Sequence, residues 1–511
     1  MKLNYKRTLY VGFAFLLICA FWQAYDNIIP IILTNKFGMS QTLSGIIMAL
    51  DNVLALFLLP LFGSLSDRCK SKKGRRTPFI VIGTVIAIIA FLALTLADTM
   101  QLKNIKDVSD FDSQKTLEVL YDFDGGTLTA PNGEKFEISD FEKDEWMSFT
   151  AENDTLNKTE NYKNYVVPAR EAYAWSVTEK NPAPLILFIV ILLACLLSMA
   201  TFRSPAVALM PDVTPKPLRS KGNAVINLMG SFGGVAVLVL GMVVGTGKLE
   251  NQLMNYTLYV GIVCAIMLVS LVIFICKVRE PEFVEDMQRV SRENGIDESE
   301  ESNDGGRKLS RGELASLLLI LASVVLWYLG YNAITSKYSI YASKILEKDY
   351  NLTMIIAQAA AIAAYFPAGI VASKFGRKKT ILAGVAILGA AFGIAGFMSA
   401  SSPTAVMNIL FVLCGIGWAT INVNSFPMVV ELSRGGNVGK YTGFYYTASM
   451  AAQTFTPVFS GFLMDSLGME ILFPYSAICV GLAFITMLLV RHGDSRPTDT
   501  KGVLESMGAD D

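Results

Sequence analysis

The sequence predicts an all-α membrane protein: twelve transmembrane helices in two six-helix pseudo-symmetric halves, with a small extracellular insertion in the first half. Three observations carry this. Of 511 residues, 52% are hydrophobic and only 17% are charged, whereas soluble domains carry about a quarter charged residues. The apolar residues gather into runs of about twenty, the length that crosses a hydrocarbon core of about 30 Å. A basic hairpin at Gly63–Phe79 also returns in weaker form at Gly369–Thr380.

The apolar runs predict helices near 9–33, 41–65, 78–97, 184–211, 222–246, 256–277, 313–336, 352–373, 380–399, 404–431, 441–464 and 471–490. The first follows Lys2, Lys6 and Arg7 and so resembles a secretory leader. Gln23, Asp26 and Asn27 interrupt it and no small-residue cleavage site follows, which makes it a first transmembrane helix instead. Lys and Arg crowd at 2–7, 68–76, 216–221, 277–311, 374–379, 434–440 and 491–501. These are alternate connections, and an excess of positive charge marks the cytoplasmic side. Both termini are therefore expected in the cytoplasm of a multi-pass protein of the cell membrane. The chain divides into 1–97 (helices one to three), 98–182 (the insertion), 183–279 (helices four to six), 280–312 (a cytoplasmic linker), 313–491 (helices seven to twelve) and 492–511 (a cytoplasmic tail).

The insertion is polar and mostly acidic. Glu118–Phe123 and Thr127–Thr129 around Asp124-Gly125-Gly126 read as a hairpin, and Pro131-Asn132-Gly133 as a second turn before Lys135–Ile138. Either a β-rich cap or a loosely ordered insertion satisfies this pattern. The linker, rich in Glu, Asp, Ser, Arg and Gly, reads as partly helical and partly flexible.

The repeat is visible within the chain. Trp22, Asp26 and Asn27 align with Trp327, Tyr331 and Asn332 at nearly the offset that relates Gly63 to Gly369. Pro205 and Pro427 pair at a smaller offset, because only the first half carries the insertion. Two related halves are the expected source of such a pattern.

In the basic hairpin, Gly63 and Gly74 permit close approach and a tight turn. Asp67 lies beside Arg68, Arg75 and Arg76, and a carboxylate between guanidinium groups makes charge-assisted hydrogen bonds. Asp212 and Glu431, at the inner ends of the fourth and tenth helices, are candidate partners for this conformational latch. The second copy keeps Gly376 and Arg377 but has Ser373 where the acid would stand, which predicts a weaker latch.

The run Ser66-Asp67-Arg68 through Gly74-Arg75-Arg76-Thr77-Pro78-Phe79-Ile80 resembles the signature loop of the major facilitator superfamily. Within it, the spacing resembles the sucrose and proton-associated sugar transporters and, more distantly, the glycoside–pentoside–hexuronide cation symporters. Arg203-Ser204-Pro205-Ala206, Gly417-Trp418-Ala419, Pro427 and Tyr441-Thr442-Gly443 agree with that resemblance. It implies a secondary transporter working by alternating access, and a functional arginine at position 203. Sodium-linked members place paired acids in the second helix where this chain has Ala55 and Leu59. That departure favours proton coupling.

Ionisable residues inside membrane helices are costly and mark function. Asp26 and Asp51 sit at similar depth on consecutive helices and are the candidate cation-coupling pair; the single histidine, His492, lies beyond the last helix. Arg203 is the clearest intramembrane cation, placed to pair with an acid or to reach substrate hydroxyls. Sugars need amide edges and aromatic faces. Trp22, Gln23 and Asn27, their counterparts Trp327, Tyr331 and Asn332, and Asn227, Trp418, Asn424 and Gln453 supply candidates for substrate binding.

The expectation is proton-coupled uptake of a neutral sugar or glycoside, a disaccharide such as sucrose or maltose, by a monomer in the lipid bilayer. The alternatives are the same fold carrying a drug, nucleoside or organic acid, or a transporter-like sensor. No cofactor, metal site or nucleic-acid partner is expected: the net charge is −1, the seven cysteines avoid the insertion and show no zinc spacing, and no nucleotide-binding loop or nucleophile–base pair is present. The chain therefore reads as a non-enzyme driven by the proton gradient.

Overall fold

Each of the twelve expected segments is a helix in the computed structural model, which describes residues 3–111, 113–150, 160–215, 218–248, 251–295, 310–432 and 438–492. Counting only these long helices in chain order, they are Tyr5–Ile31, Gln41–Asp67, Thr77–Asn104, Ala183–Val213, Arg219–Val244, Thr257–Lys277, Arg311–Tyr341, Tyr350–Phe375, Arg377–Ala395, Thr404–Glu431, Val438–Leu467 and Leu472–Leu489. Among the described residues, ten spans are long and apolar enough to cross a membrane, and the eighth helix holds a shorter apolar stretch, Tyr350–Tyr365. The first and seventh helices both end in a π-helical turn, Ile32–Lys36 and Ala342–Leu346. This shared device was not legible in the sequence.

Packing repeats with a shift of six helices. The first helix packs on the fifth and sixth as the seventh packs on the eleventh and twelfth. The fourth packs on the second and third as the tenth packs on the eighth and ninth. Between halves, the second meets the eleventh and the fifth meets the eighth. This is the packing that a duplicated six-helix unit produces. One continuous apolar core runs through both sets, with Phe21, Tyr25, Phe91, Trp327, Tyr338 and Phe473 among its buried rings.

The second–eleventh seam is a close backbone approach. A Cβ at Gly45 would stand 2.1 Å from the Pro457 carbonyl oxygen, and one at Gly461 would stand 2.2 Å from that of Gln41. Only glycine allows the two helices to touch there.

The insertion is mainly helical, which corrects the expectation of a β-rich cap. Glu118–Phe123, expected as a strand, falls largely in the helix Gln114–Tyr121. Thr116, Leu117 and Leu120 are its buried residues, a helical i, i+1, i+4 spacing on one face. The second expected turn is present: Leu128–Thr129 pairs antiparallel with Lys135–Phe136 around Pro131-Asn132-Gly133. Helices Lys143–Met147 and Val167–Lys180 also belong to the unit. It has its own core, in which Trp146 is fully buried and donates its indole N–H to the Leu117 carbonyl at 3.0 Å. The linker opens with the helix Glu280–Glu293. The third helix continues to Asn104, carrying Asp98 into a buried ion pair with Lys36 at 2.6 Å.

Candidate functional site

A cavity of about 180 Å³ opens between the halves, lined by Trp22, Asp26, Met48, Asp51, Asn52, Arg203, Asn332, Thr335, Ser336, Gln453 and Pro457. The first, second and fourth helices supply both carboxylates and the cation. The seventh and eleventh supply amides and hydroxyls. The Arg203 guanidinium lies 5.4 Å from the Trp22 ring centroid, a cation–π contact that holds the cation beside the cavity. Asp51 accepts a hydrogen bond from the Asn52 amide at 2.7 Å.

The indole N–H of Trp22 and the amide nitrogen of Asn332 are buried donors without a hydrogen-bond partner among the described residues. Leaving a buried polar group unsatisfied costs roughly 1–3 kcal/mol. Both residues line the cavity, one from each half. Two carboxylates, one guanidinium and several amides can also hold a proton and orient hydroxyl groups.

The expected binding residues divide. Trp22, Asp26, Asp51, Arg203, Asn332 and Gln453 come together at the cavity. Gln23 and Asn27 lie beside it as a buried relay: Gln23 donates to Asn27 at 3.3 Å and accepts from Gln358 of the other half at 2.8 Å. Tyr331 and Trp418 form a parallel stack with centroids 3.6 Å apart, and so face each other. Trp327 is wholly buried in the core, unlike its counterpart Trp22. Asn424 is buried and donates to the Thr420 carbonyl one turn back in its own helix. Asn227 is exposed on the fifth helix and does not line the cavity. Asn52, Thr335, Ser336 and Gln358 were not singled out in the sequence. Asn52 had a visible signal, an amide directly following a membrane acid.

The basic hairpin forms a second cluster. Arg75 makes a two-pronged contact to Asp212, 2.7 Å and 3.2 Å, and Arg76 adds a third bond at 2.8 Å. Arg76 also reaches Asp67 and the Ser66 hydroxyl. The partner that the sequence did not reveal is Glu280, at the start of the linker helix and nearly fully buried. It accepts from the backbone N–H groups of Arg75, Arg76 and Thr77 at 2.8–3.1 Å, where the third helix begins. A carboxylate is favoured at a helix N-terminus, where N–H groups lack intrahelical partners. Gly74 has φ +103°, and a Cβ there would lie 2.3 Å from the Glu280 carboxyl, so a side chain is excluded twice over. Gly63 approaches Ser204 closely. Arg68 is exposed. The Glu431 side chain lies outside the described residues. In the second copy Gly376 precedes the ninth helix, Arg377 is half-buried, and Lys378 donates to the Leu488 and Val490 carbonyls at 2.9 and 2.6 Å.

Comparison with known proteins agrees with this architecture. The family model "Major Facilitator Superfamily" matches residues 11–103 and 340–506. Proton-associated sugar transporter A of Homo sapiens is 40% identical over 67 residues, a stretch covering 13% of this chain and 8% of that protein. Sucrose transport protein SUC4 of Arabidopsis thaliana is 39% identical over 60 residues, 12% of each chain. The aligned stretch thus spans only a small part of these relatives. Among solved structures, the inward-open xylose transporter XylE of E. coli aligns over 99% of both chains with a TM-score of 0.62 and 14% identity. A bacterial homologue of the iron transporter ferroportin in an inward-facing state aligns over 95% of this chain and 99% of its own, with a TM-score of 0.57 and 13% identity. These likenesses establish a shared fold. The chain belongs to the Major Facilitator Superfamily.

Proposed function

We propose that the protein is a secondary transporter that takes up a neutral sugar or glycoside together with protons, by alternating access of one central cavity. The observation that carries this reading is the cavity itself: Asp26 and Asp51 beside a single cation, Arg203, with unpartnered donors from Trp22 and Asn332 on opposite halves. Two acids against one guanidinium leave one carboxyl to carry a proton, so that a loaded cavity can be electrically neutral. Buried charge is expensive in a membrane, and a neutral occupant fits that balance. The names of the two curated relatives, one a proton-associated sugar transporter and one a sucrose transport protein, support a sugar as the solute and the proton as its partner. A disaccharide such as sucrose or maltose is the first candidate. The charge of the basic connections supports a cytoplasmic location for their end of the bundle and an extracellular one for the insertion.

The test is uptake of radiolabelled sucrose, maltose, melibiose and xylose into energised vesicles, with and without an imposed pH gradient. Accumulation of one of these sugars that rises with an inward proton gradient supports the reading. Correctly inserted protein that transports none of the four, or transports one with no response to the gradient, contradicts it.

A further inference from the structure

A third charged cluster sits at the end that carries the insertion. Lys337 on the seventh helix is fully buried. Its ammonium donates to the Gln41 backbone carbonyl at 2.8 Å and to the Gln41 side-chain oxygen at 3.3 Å. Asp465, near the end of the eleventh helix, accepts from the backbone N–H groups of Gln41 and Thr42 at 2.8 and 2.7 Å, and from the Thr42 hydroxyl. Both charges belong to the second half, and both converge on the first turn of the second helix, in the first half. The helix already has its own cap, Ser40, which takes the Leu43 N–H. Asp465 takes the two N–H groups that Ser40 leaves. The contact is possible only because Gly45 and Gly461 let the two backbones touch.

We propose that Lys337 and Asp465 are the gate residues of the insertion end: together they clamp the first turn of the second helix and hold that end of the cavity shut. The reason is electrostatic. A carboxylate at a helix N-terminus meets unpaired N–H groups and the positive end of the helix dipole. A buried ammonium without acceptors is costly, so Lys337 favours the arrangement in which Gln41 satisfies it. Separation of the halves at this end removes both sets of contacts at once. The clamp thus sets the relative population of the two access states without touching the solute. It rests on the alternating-access reading above, and its test does not require the solute.

The experiment places a cysteine reporter in the cavity wall, Thr335→Cys, and measures labelling by a membrane-impermeant maleimide from each face of oriented vesicles. The same proteins with Thr335 intact give the background from the native cysteines. Asp465→Asn and, from the other side of the contact, Thr42→Ala should each raise labelling from the insertion face, about tenfold for Asp465→Asn, and lower it from the basic face. Asp465→Glu should stay within about twofold of the parent. Unchanged labelling from both faces, or a rise from both faces as expected of simple loosening, would overturn the proposal. If labelling shifts as expected while no sugar is carried, the gate stands and the sugar reading falls.

Discussion

The two ends of the helical bundle are held together in different ways. At the insertion end, several of the described contacts join one half to the other. Lys337 and Asp465 grip the second helix, Thr246 bonds Tyr350 at 2.8 Å, and the insertion reaches across through Lys344–Glu171 and Lys163–Glu347. The Met469 N–H also donates to the Pro131 carbonyl at 2.8 Å. At the basic end, the ion pairs of the hairpin tie elements of the same half and its linker: Asp67, Arg75, Arg76, Asp212 and Glu280. Among the described residues, the clamp across the halves lies at the insertion end, and the hairpin ion pairs at the basic end stay within one half.

This contrast can be broken from either side. The largest effect is expected from Glu280→Ala, which strips the acceptor from three backbone N–H groups at the start of the third helix, those of Arg76 and Thr77 buried and that of Arg75 part-buried. Losing a buried charged partner should cost about 3 kcal/mol, seen as a clear fall in the thermal midpoint in detergent. Because the damage lies within one half, cavity labelling from the insertion face should not rise.

Gly461→Val should do the reverse. Its new atoms meet the Gln41 backbone, and such overpacking costs roughly 1–3 kcal/mol, about five- to 150-fold in the population of the closed insertion end. Side-specific labelling should shift toward the insertion face with little change in the thermal midpoint. Equal effects of both substitutions on both readouts would erase the distinction between the ends.

The smallest effect concerns the linker helix. Arg7 bonds Asp286 at 2.6 Å and lies 4.8 Å from the Phe283 ring centroid. The hydrogen bond from Arg7 holds the Asp286 carboxyl below its ordinary range against the opposing effect of desolvation, and the positive charges of Arg7 and Arg289 add smaller contributions. A depressed carboxylate pKa stabilises the folded contact above the unfolded value and loses that stabilisation as pH falls through the folded value. Hydrogen exchange of Glu280–Glu293 should therefore respond little between pH 6 and pH 8, values chosen well above the ordinary aspartate range of about 4. Arg7→Ala should speed that exchange by about twofold, as an exposed pair warrants. A marked change across this pH interval in the parent protein would assign the contact to another group.

The helices were legible because membrane spans announce themselves by length and apolarity. Asp67, Arg75, Arg76 and Asp212 were legible because opposite charges at helix ends seek one another. Glu280 was not: its role depends on where the sixth helix ends relative to the third, some 200 residues away, and a Glu after a basic residue reads as an ordinary solvated linker. The insertion misled for a related reason. Asp124-Gly125-Gly126 carries a strong turn signal, and the short apolar run before it has neither the length nor the polarity pattern to separate strand from helix. Within the site, the sequence repeat suggested equal roles for Trp22 and Trp327. Local spacing fixes neither ring's rotation about its helix, and the structure turns Trp22 to the cavity and Trp327 into the core. The cross-half groups Lys337, Asp465 and Gln358 carry no local motif at all, since each acts on a residue of the opposite half.

In the proposed cycle the cavity acids Asp26 and Asp51 couple proton movement to solute movement. The most direct measurement compares sugar counterflow with gradient-driven accumulation in Asp51→Asn and Asp26→Asn, using whichever sugar the parent protein accumulates. Counterflow needs only binding and alternation of the cavity, whereas accumulation needs the proton. At least one of the two variants is expected to keep counterflow near the parent rate and to lose accumulation above the outside concentration. Full gradient-driven accumulation in both variants would show that neither carboxylate carries the coupling proton and would contradict the account.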